Sequence, residues 1–256
     1  DNELIRDMMD DNVVSVSTTT DQEDVSQMFE KYGYLAIPVV DNEKRLVGIV
    51  TIDDAISIMQ DEASEDIAKM NAMGPSDKPY FKQSMWELYK NRAPWLLVNL
   101  CTAGFASYVA SRFENTVAHI VVLAFLMSIV AGIGGNSGNQ TMTLVIRALA
   151  LGQVTSSNVR DLIKKELSVT VLAGLAGGVI AAIFAYMISG SLPLAAVMMA
   201  SMVCNMLVGV SVGMFVPIMR EKLGKDPAVG SSVLLTFATD TMGFLIFLGL
   251  ATVFLL

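Results

Sequence analysis

Asp240 is the only carboxylate in an otherwise uncharged run from Pro227 to Leu256, a run long enough to cross a bilayer core, which takes about 20 apolar residues. A charge in the bilayer interior costs at least about 3 kcal/mol on insertion scales, and no Lys or Arg falls at the same depth to pair with it. Such a carboxylate is satisfied by a proton, a cation or water. A second uncharged run, Ile120 to Ile146, carries GIGGNSGNQ (Gly132 to Gln140) near its middle, with four glycines and three carboxamides. Gly132, Asn136, Gln140, Thr143 and Arg147 recur at helical spacing, as do Ser232, Thr236, Asp240 and Gly243, and as do Ser201, Asn205, Gly209 and Gly213.

Carboxamides, hydroxyls, a carboxylate and the open carbonyls of a glycine-rich backbone are hard oxygen donors, suited to Mg²⁺ or Ca²⁺ rather than to soft metals. The candidate ion-path residues are therefore Asp240, Asn136, Gln140, Thr236, Ser232 and Asn205, acting directly or through water. Mg²⁺ dehydrates reluctantly and is held through its waters by one or two carboxylates. One Asp per chain then suggests a two-fold dimer with both copies of Asp240 facing one ion. Small residues and carboxamides at this spacing also serve plain helix packing, the reading preferred for Thr170, Gly174, Gly177, Gly178 and Ala181. Cys101 and Cys204 lie in apolar runs without metal-type spacing and read as small membrane-core residues. His119, the single histidine, reads as an interfacial residue.

The elements that must position these residues follow from charge and hydropathy. The chain is 53% hydrophobic with a net charge of −8, but 19 of its 25 acidic residues fall before residue 91. An acidic, water-soluble part precedes a membrane part. Uncharged windows at Ala93–Ser111, Ile120–Ile146, Leu167–Met219 and Pro227–Leu256, the third split by the turn cluster Ser189 to Pro193, predict five transmembrane helices. Arg92, then Arg160, Lys164 and Lys165, then Arg220, Lys222 and Lys225 mark one side; Lys and Arg collect in cytoplasmic loops. That places the N-terminal part in the cytoplasm and the C-terminus outside. Helical rise puts Asn136 about 21 Å from an inner helix end near Ala150 and Asp240 about 20 Å from one near Pro227, which is the same level.

The acidic part reads as a strand at Val13 to Val16, a capping box at Thr20-Asp21-Gln22-Glu23 opening a helix to about Tyr32, strands at Ala36 to Val40 and Leu46 to Val50 around an Asp41-Asn42-Glu43 turn, and a helix from about Ile52. Thr51 would cap that helix and Asp54 complement its dipole. Asp61, Glu62, Glu65 and Asp66 are like charges at helical spacing, which repel. The chain then breaks at Met73-Gly74-Pro75 and resumes at Tyr80 as a helix leading into the first span. It opens at Asp1 with no signal peptide, the mark of a fragment or processed chain.

GGNSGNQTMTLVIRALA (Gly134 to Ala150), together with Asp226-Pro227-Ala228 and Asp240 in DTMGFLIF, resembles the MgtE family of magnesium channels, and PVVDNEKRLVGIVTIDDAI resembles a CBS motif. The resemblance covers essentially the whole chain. It implies a CBS motif over residues 1–60, the second of a pair whose first half is missing; an acidic connecting, or plug, helix region over 61–90; and a five-helix pore domain over 91–256. The fold class is then an all-α membrane bundle of five helices per chain, preceded by a small α/β CBS-type domain and a connecting helix.

The resemblance further implies a homodimeric, passive, Mg²⁺-selective channel of the plasma membrane, its hydrated pore ion held by Asp240 of each subunit and contacting the carboxamide segment through water. Regulatory Mg²⁺ would bridge acids of the CBS domain and connecting helix, here Asp53, Asp61, Glu62, Glu65 and Asp66, closing the pore when the ion is abundant. Thr51 and Asp54 match the CBS residues that hold the ribose and phosphates of adenine nucleotides, which makes ATP a possible second ligand of the intact protein. Two departures stand out. Ser232-Val233 replaces the Asn or Gly-Pro that many relatives carry, which bears on selectivity among Mg²⁺, Mn²⁺, Co²⁺ and Ca²⁺; Ser57 replaces a second acid, which implies a shallower Mg²⁺ dependence. A divalent cation exchanger coupled to Na⁺ or H⁺ remains an alternative, since Asp240 could titrate. The residues offer no ATP-hydrolysing motif, and an intramembrane hydrolase would need a second membrane Asp, an HExxH cluster or a base at depth. Nucleic acid is not expected as a partner; the lipid bilayer is.

Overall fold

The computed structural model describes residues 9, 12–74, 78, 80–155 and 157–256. It divides into two compact units, the first ending at Glu65 and the second beginning at Asp66.

In the first unit, strands β1 (Val16–Ser17), β2 (Ala36–Val40) and β3 (Leu46–Thr51) form one sheet in that order. β1 runs parallel to β2 and β2 antiparallel to β3. Helix α1 (Gln22–Tyr32) crosses from β1 to β2, and α2 (Ile52–Met70) follows β3 directly, its residues from Asp66 on belonging to the second unit. Val16, Val25, Phe29, Ile37 and Ala55 make the buried core. The expected first strand, Val13 to Val16, is observed as Val16–Ser17, and the chain turns directly after it, where the Ser17 amide donates to Thr20 Oγ1 at 3.0 Å. With Thr20 so engaged, the expected capping box is replaced by Asp21, whose side chain accepts from the Glu23 amide at 2.9 Å. Gly33, at φ 66°, closes the helix, a conformation that costs glycine nothing.

The second unit holds five helices long and apolar enough to cross a membrane: α3 (Met85–Ser111), α5 (Val122–Ala150), α6 (Val159–Ser189), α7 (Leu192–Lys222) and α8 (Ser231–Leu255). A short helix, α4 (Glu114–His119), joins the first two. Tyr80 to Lys82 forms only a 3₁₀ turn; the long helix starts at Met85, where Ser84 and Glu87 make a reciprocal capping box. Pro75, in the expected break, lies outside the described residues.

α7 is the central helix. Its buried residues, from Leu194 through Met198, Asn205 and Gly209 to Pro217, reflect neighbours on three sides, α5, α6 and α8. A helix ringed this way needs apolar or small residues all round, which is how its sequence reads. α3 is the opposite case, touching mainly α8, with Leu96, Leu97, Leu100 and Tyr108 exposed on the bundle surface. In water such a surface would be a large aggregating patch; lipid removes the penalty. Cys101 and Cys204 are also exposed on that surface, so the expectation that they lie in the bundle core is corrected: each falls on the side of its helix that no neighbour covers.

Candidate ion site in the bundle

GIGGNSGNQ lies wholly inside α5, which is helical without interruption from Val122 to Ala150. Its glycine carbonyls are thus committed to the helix, and the expectation that the glycine-rich backbone offers open carbonyls is corrected. The glycines have another task. A methyl group added at Gly209 of α7 would collide with the Gly134 carbonyl, and one at Gly213 would lie 2.5 Å from the Gly138 carbonyl. A methyl at Gly138 would come within 2.5 Å of Leu235 Cδ1 and 2.7 Å of the Gly209 carbonyl. Gly134 and Gly138 therefore let α5 and α7 run backbone against backbone, with α8 closing over the same seam.

Asn205 belongs to this seam. It is fully buried, its Nδ2 donates to the Val130 carbonyl at 2.9 Å, and its amide fills the space that a side chain at Gly134 or Gly243 would need. Its Oδ1 is buried and has no hydrogen-bond partner among the described residues. The structure does not bring Asn205 onto the open face with the other candidates; it ties α5, α7 and α8 together. The small-residue reading of α6 holds at Gly174 and Gly178, which face Val203 and Met199 of α7, but Gly177 meets nothing within 4 Å.

The contacts also fix depth. Gly135 lies against Thr239 Oγ1, at 3.4 Å from an added methyl, and Gly243 against the Ala131 Cα at 3.3 Å. α5 and α8 are therefore antiparallel neighbours, with Asp240 level with Gly134 and Asn136 about 3 Å away along the axis. α8 begins at Ser231, so Asp240 is about 14 Å from its helix start rather than the expected 20 Å; the common level survives because α5 extends further at that end. Asn136, Gln140 and Thr236 are exposed, and Ser232 and Asp240 are half-buried. No hydrogen bond or ion pair engages the Asp240 carboxylate among the described residues. At this level α5 carries two exposed carboxamides and α8 a carboxylate and two hydroxyls that are exposed or half-buried. Such a set can accept from, or donate to, the water shell of a hard cation.

A second carboxylate escaped the sequence reading. α6 starts at Val159, which carries Glu166 about 10 Å into the helix. Thr141, nine-tenths buried on α5, donates to Glu166 Oε2 at 2.9 Å. Asp240 is therefore not the only carboxylate on the bilayer-length helices. The signal available was the i,i+4 placement of Glu166 and Thr170, whose Oγ1 donates to the Glu166 carbonyl.

In the first unit, Thr51 Oγ1 and the Thr51 amide both donate to Asp54 Oδ2, at 2.7 and 3.2 Å. Thr51 and Asp54 are thus brought together, as a hydroxyl–carboxylate pair rather than as two separate capping groups. The Thr51 hydroxyl, then its amide, hold the Asp54 carboxyl below the usual carboxylate range. Asp53, Asp61, Glu62, Glu65 and Asp66 are strung along α2 instead of converging. Among the described residues no three His, Cys, Asp or Glu side chains are grouped as a metal site. Glu62 Oε1 accepts from Gln22 Nε2 at 2.5 Å.

Five bilayer-length helices, preceded in sequence by a small sheet-and-helix unit, define a multi-pass membrane protein. The family profile "Divalent cation transporter" (MgtE) matches residues 127–250, and the CBS domain profile matches residues 5–61. The chain is 35% identical over 253 residues to the magnesium transporter MgtE of Bacillus subtilis, 36% over 251 residues to that of Thermus thermophilus and 33% over 259 residues to that of Enterococcus faecalis. These alignments take in 98–100% of this chain and 56% of each relative, so the chain spans little more than half their length. The chain is thus similar over nearly its whole length to MgtE-family proteins, which are named as transporters.

Proposed function

We propose that this chain is the membrane part, with a CBS-type unit, of a Mg²⁺-selective channel that carries the ion passively across the plasma membrane. The observation that carries the reading is Asp240: a carboxylate inside a span, without a protein partner, level with the carboxamides of α5 and beside hydroxyls of α8. A hydrated Mg²⁺ supplies the charge that Asp240 lacks, and its waters suit Asn136, Gln140, Thr236 and Ser232. Because one chain offers this set on an open edge, two copies related by a two-fold axis would enclose the ion with two carboxylates. Membrane potential would contribute about 2.3 kcal/mol per elementary charge per 100 mV, and twice that for a divalent ion. The Arg and Lys distribution supports a cytoplasmic N-terminal unit and an outside C-terminus.

Regulation follows in the same reading. Asp53, Asp61, Glu62, Glu65 and Asp66 cannot chelate one ion from a single helix, so regulatory Mg²⁺ must bridge them to acids of another element or the second subunit. Ions that bind only that closed arrangement would hold the channel shut by linkage. ATP at Thr51 and Asp54 would require the nucleotide to compete with the pairing of those two side chains.

The test is Mg²⁺ flux into proteoliposomes at two imposed voltages, without Na⁺ or pH gradients, for the wild type and Asp240→Asn. Voltage-driven flux that disappears in the variant is expected. Flux that appears only with a Na⁺ or proton gradient would make the protein an exchanger, and unchanged flux in Asp240→Asn would remove Asp240 from the path.

A further inference from the structure

The bundle surface carries a groove of about 470 Å³ between α6 and α7, unlike the Asp240 region in composition: its walls are mainly apolar, among them Leu167, Phe215, Ile218 and Met219, Ser211 is its one hydroxyl, and its one charged lining residue is Lys222. α6 and α7 are antiparallel, as Gly174 against Val203 and Gly178 against Met199 show. Val159, in the first turn of α6, and Lys222, the last residue of α7, therefore share one mouth of the groove. From Lys222 the groove reaches Ser211, eleven residues away, or about 16 Å of helix. That is about half of a 30 Å hydrocarbon core, the depth of one leaflet. Phe215 is 63% exposed along this slot, so nothing in the subunit covers it.

We propose that this groove holds one acyl chain of an anionic phospholipid, with its phosphate at Lys222. The apolar walls stop where an acyl chain stops and the cation stands where a headgroup stands. Arg160, Lys164 and Lys165, all on the first turns of α6, add positive potential at the same end. Of the acids there, Glu166 is engaged by Thr141 and Asp226 by Lys69; Asp161 and Glu221 are exposed and only partly offset the five cations at the mouth, the fifth being Lys225. An ammonium on a four-carbon stem at a helix end reaches the headgroup layer while its stem stays against the groove. The proposal depends on membrane insertion alone and not on which ion the protein carries.

The experiment uses the full chain with Phe215→Trp, reconstituted in phosphatidylcholine bilayers containing a minor fraction of either dibrominated phosphatidylglycerol or dibrominated phosphatidylcholine, with the Phe215 parent giving the background from Trp86 and Trp95. Quenching at position 215 should show about a fivefold preference for the anionic lipid, the factor for one Lys near a charged headgroup. Adding Lys222→Gln should lower the preference toward what Arg160, Lys164, Lys165 and Lys225 alone sustain, while quenching by the zwitterionic lipid stays. Equal quenching by both lipids in the Lys222 protein would reduce the groove to ordinary lipid contact and overturn the proposal. No quenching by either lipid would mean that a second copy of the chain covers it, which overturns the proposal equally. Far-UV circular dichroism and gel filtration of each variant separate a lost site from a lost fold.

Discussion

Gly209 and Gly134 meet so closely that neither tolerates a methyl group. Gly209→Ala must push the Gly134 carbonyl away, and Gly134→Ala must displace the Asn205 amide. Overpacking of this kind costs about 1–3 kcal/mol. The Asn205 hydrogen bond itself contributes less, about 0.6 kcal/mol on membrane double-mutant averages, so close packing does more than that bond to hold the seam. Gly132→Ala makes the control, since a methyl there meets nothing within 4 Å. Melting in detergent micelles, followed by tryptophan fluorescence, should show the first two variants clearly destabilised and Gly132→Ala unchanged or slightly stabilised, since alanine is the better helix former; gains in all three would mean that helix propensity and not the seam decides. Asp240 and the carboxamides were legible in the sequence because charge and amide groups are conspicuous in an apolar run. The division of labour among glycines was not, since Gly132, Gly134, Gly135 and Gly138 differ only in which side of α5 they occupy, and that depends on where α7 packs. Glu166 was missed for a related reason: grouped with Arg160, Lys164 and Lys165, it reads as part of a loop until the start of α6 at Val159 is known.

At the scale of elements, the turn before α8 shows two constraints on one residue. Gly230 sits at φ 68°, and a methyl there would lie 2.8 Å from the Trp95 ring of α3. Gly224, at φ 64°, has open space. The left-handed conformation costs a non-glycine residue about 1–2 kcal/mol, so Gly224→Ala should lose that amount and Gly230→Ala more. Trp95→Ala in the Gly230→Ala background should recover only the steric part; full recovery would show that the backbone conformation is not strained. The Thr51–Asp54 pair gives a pH signature in the first unit. Because the Asp54 pKa is lowered on folding from its ordinary 3.8, the pair stabilises the fold above that value and the contribution is lost as pH falls through the depressed folded pKa. Thr51→Val should therefore raise the Asp54 pKa in an NMR titration, and its stability deficit should vanish in strong acid. A deficit independent of pH would assign the loss to packing. The strand and helix order was readable from alternation and turn residues, and the five spans from their length. The two-residue β1, the cap at Asp21 and the short α4 were not, because each is settled by a single local hydrogen bond or by tertiary contact that periodicity does not encode.

For the molecule as a whole, the question is how α2 could act on the proposed ion path. α2 continues to Met70 without a break, and its last turn is fastened to the membrane bundle. Lys69 Nζ pairs with Asp226 Oδ2 at 2.6 Å, with the two side chains 19% and 30% exposed. Met70 packs on the cluster of Met142, Ile146, Ala228 and Leu235, which joins α5 to the start of α8. Asp226 also accepts from the Ala228 amide at 2.8 Å, and Arg220 donates to its carbonyl at 2.7 Å. Lys69 and Met70 are thus held against the turn that opens α8, nine residues ahead of Asp240 at Ser231. A half-buried pair of this kind is worth on the order of 1 kcal/mol, enough for about a fivefold change in a two-state equilibrium. Lys69→Met keeps the stem and removes the charge; Asp226→Asn keeps an acceptor for Ala228 and removes the charge. If the pair transmits regulation, each variant should cut the ratio of flux at low Mg²⁺ to flux at high Mg²⁺ by the same factor, about fivefold on that scale, and the double variant should cut it no further. Proteoliposome flux measured across a series of internal Mg²⁺ concentrations supplies that ratio. Additive losses would show the two charges acting independently, and unchanged ratios would leave the pair as an anchor of α2 with no part in opening the path.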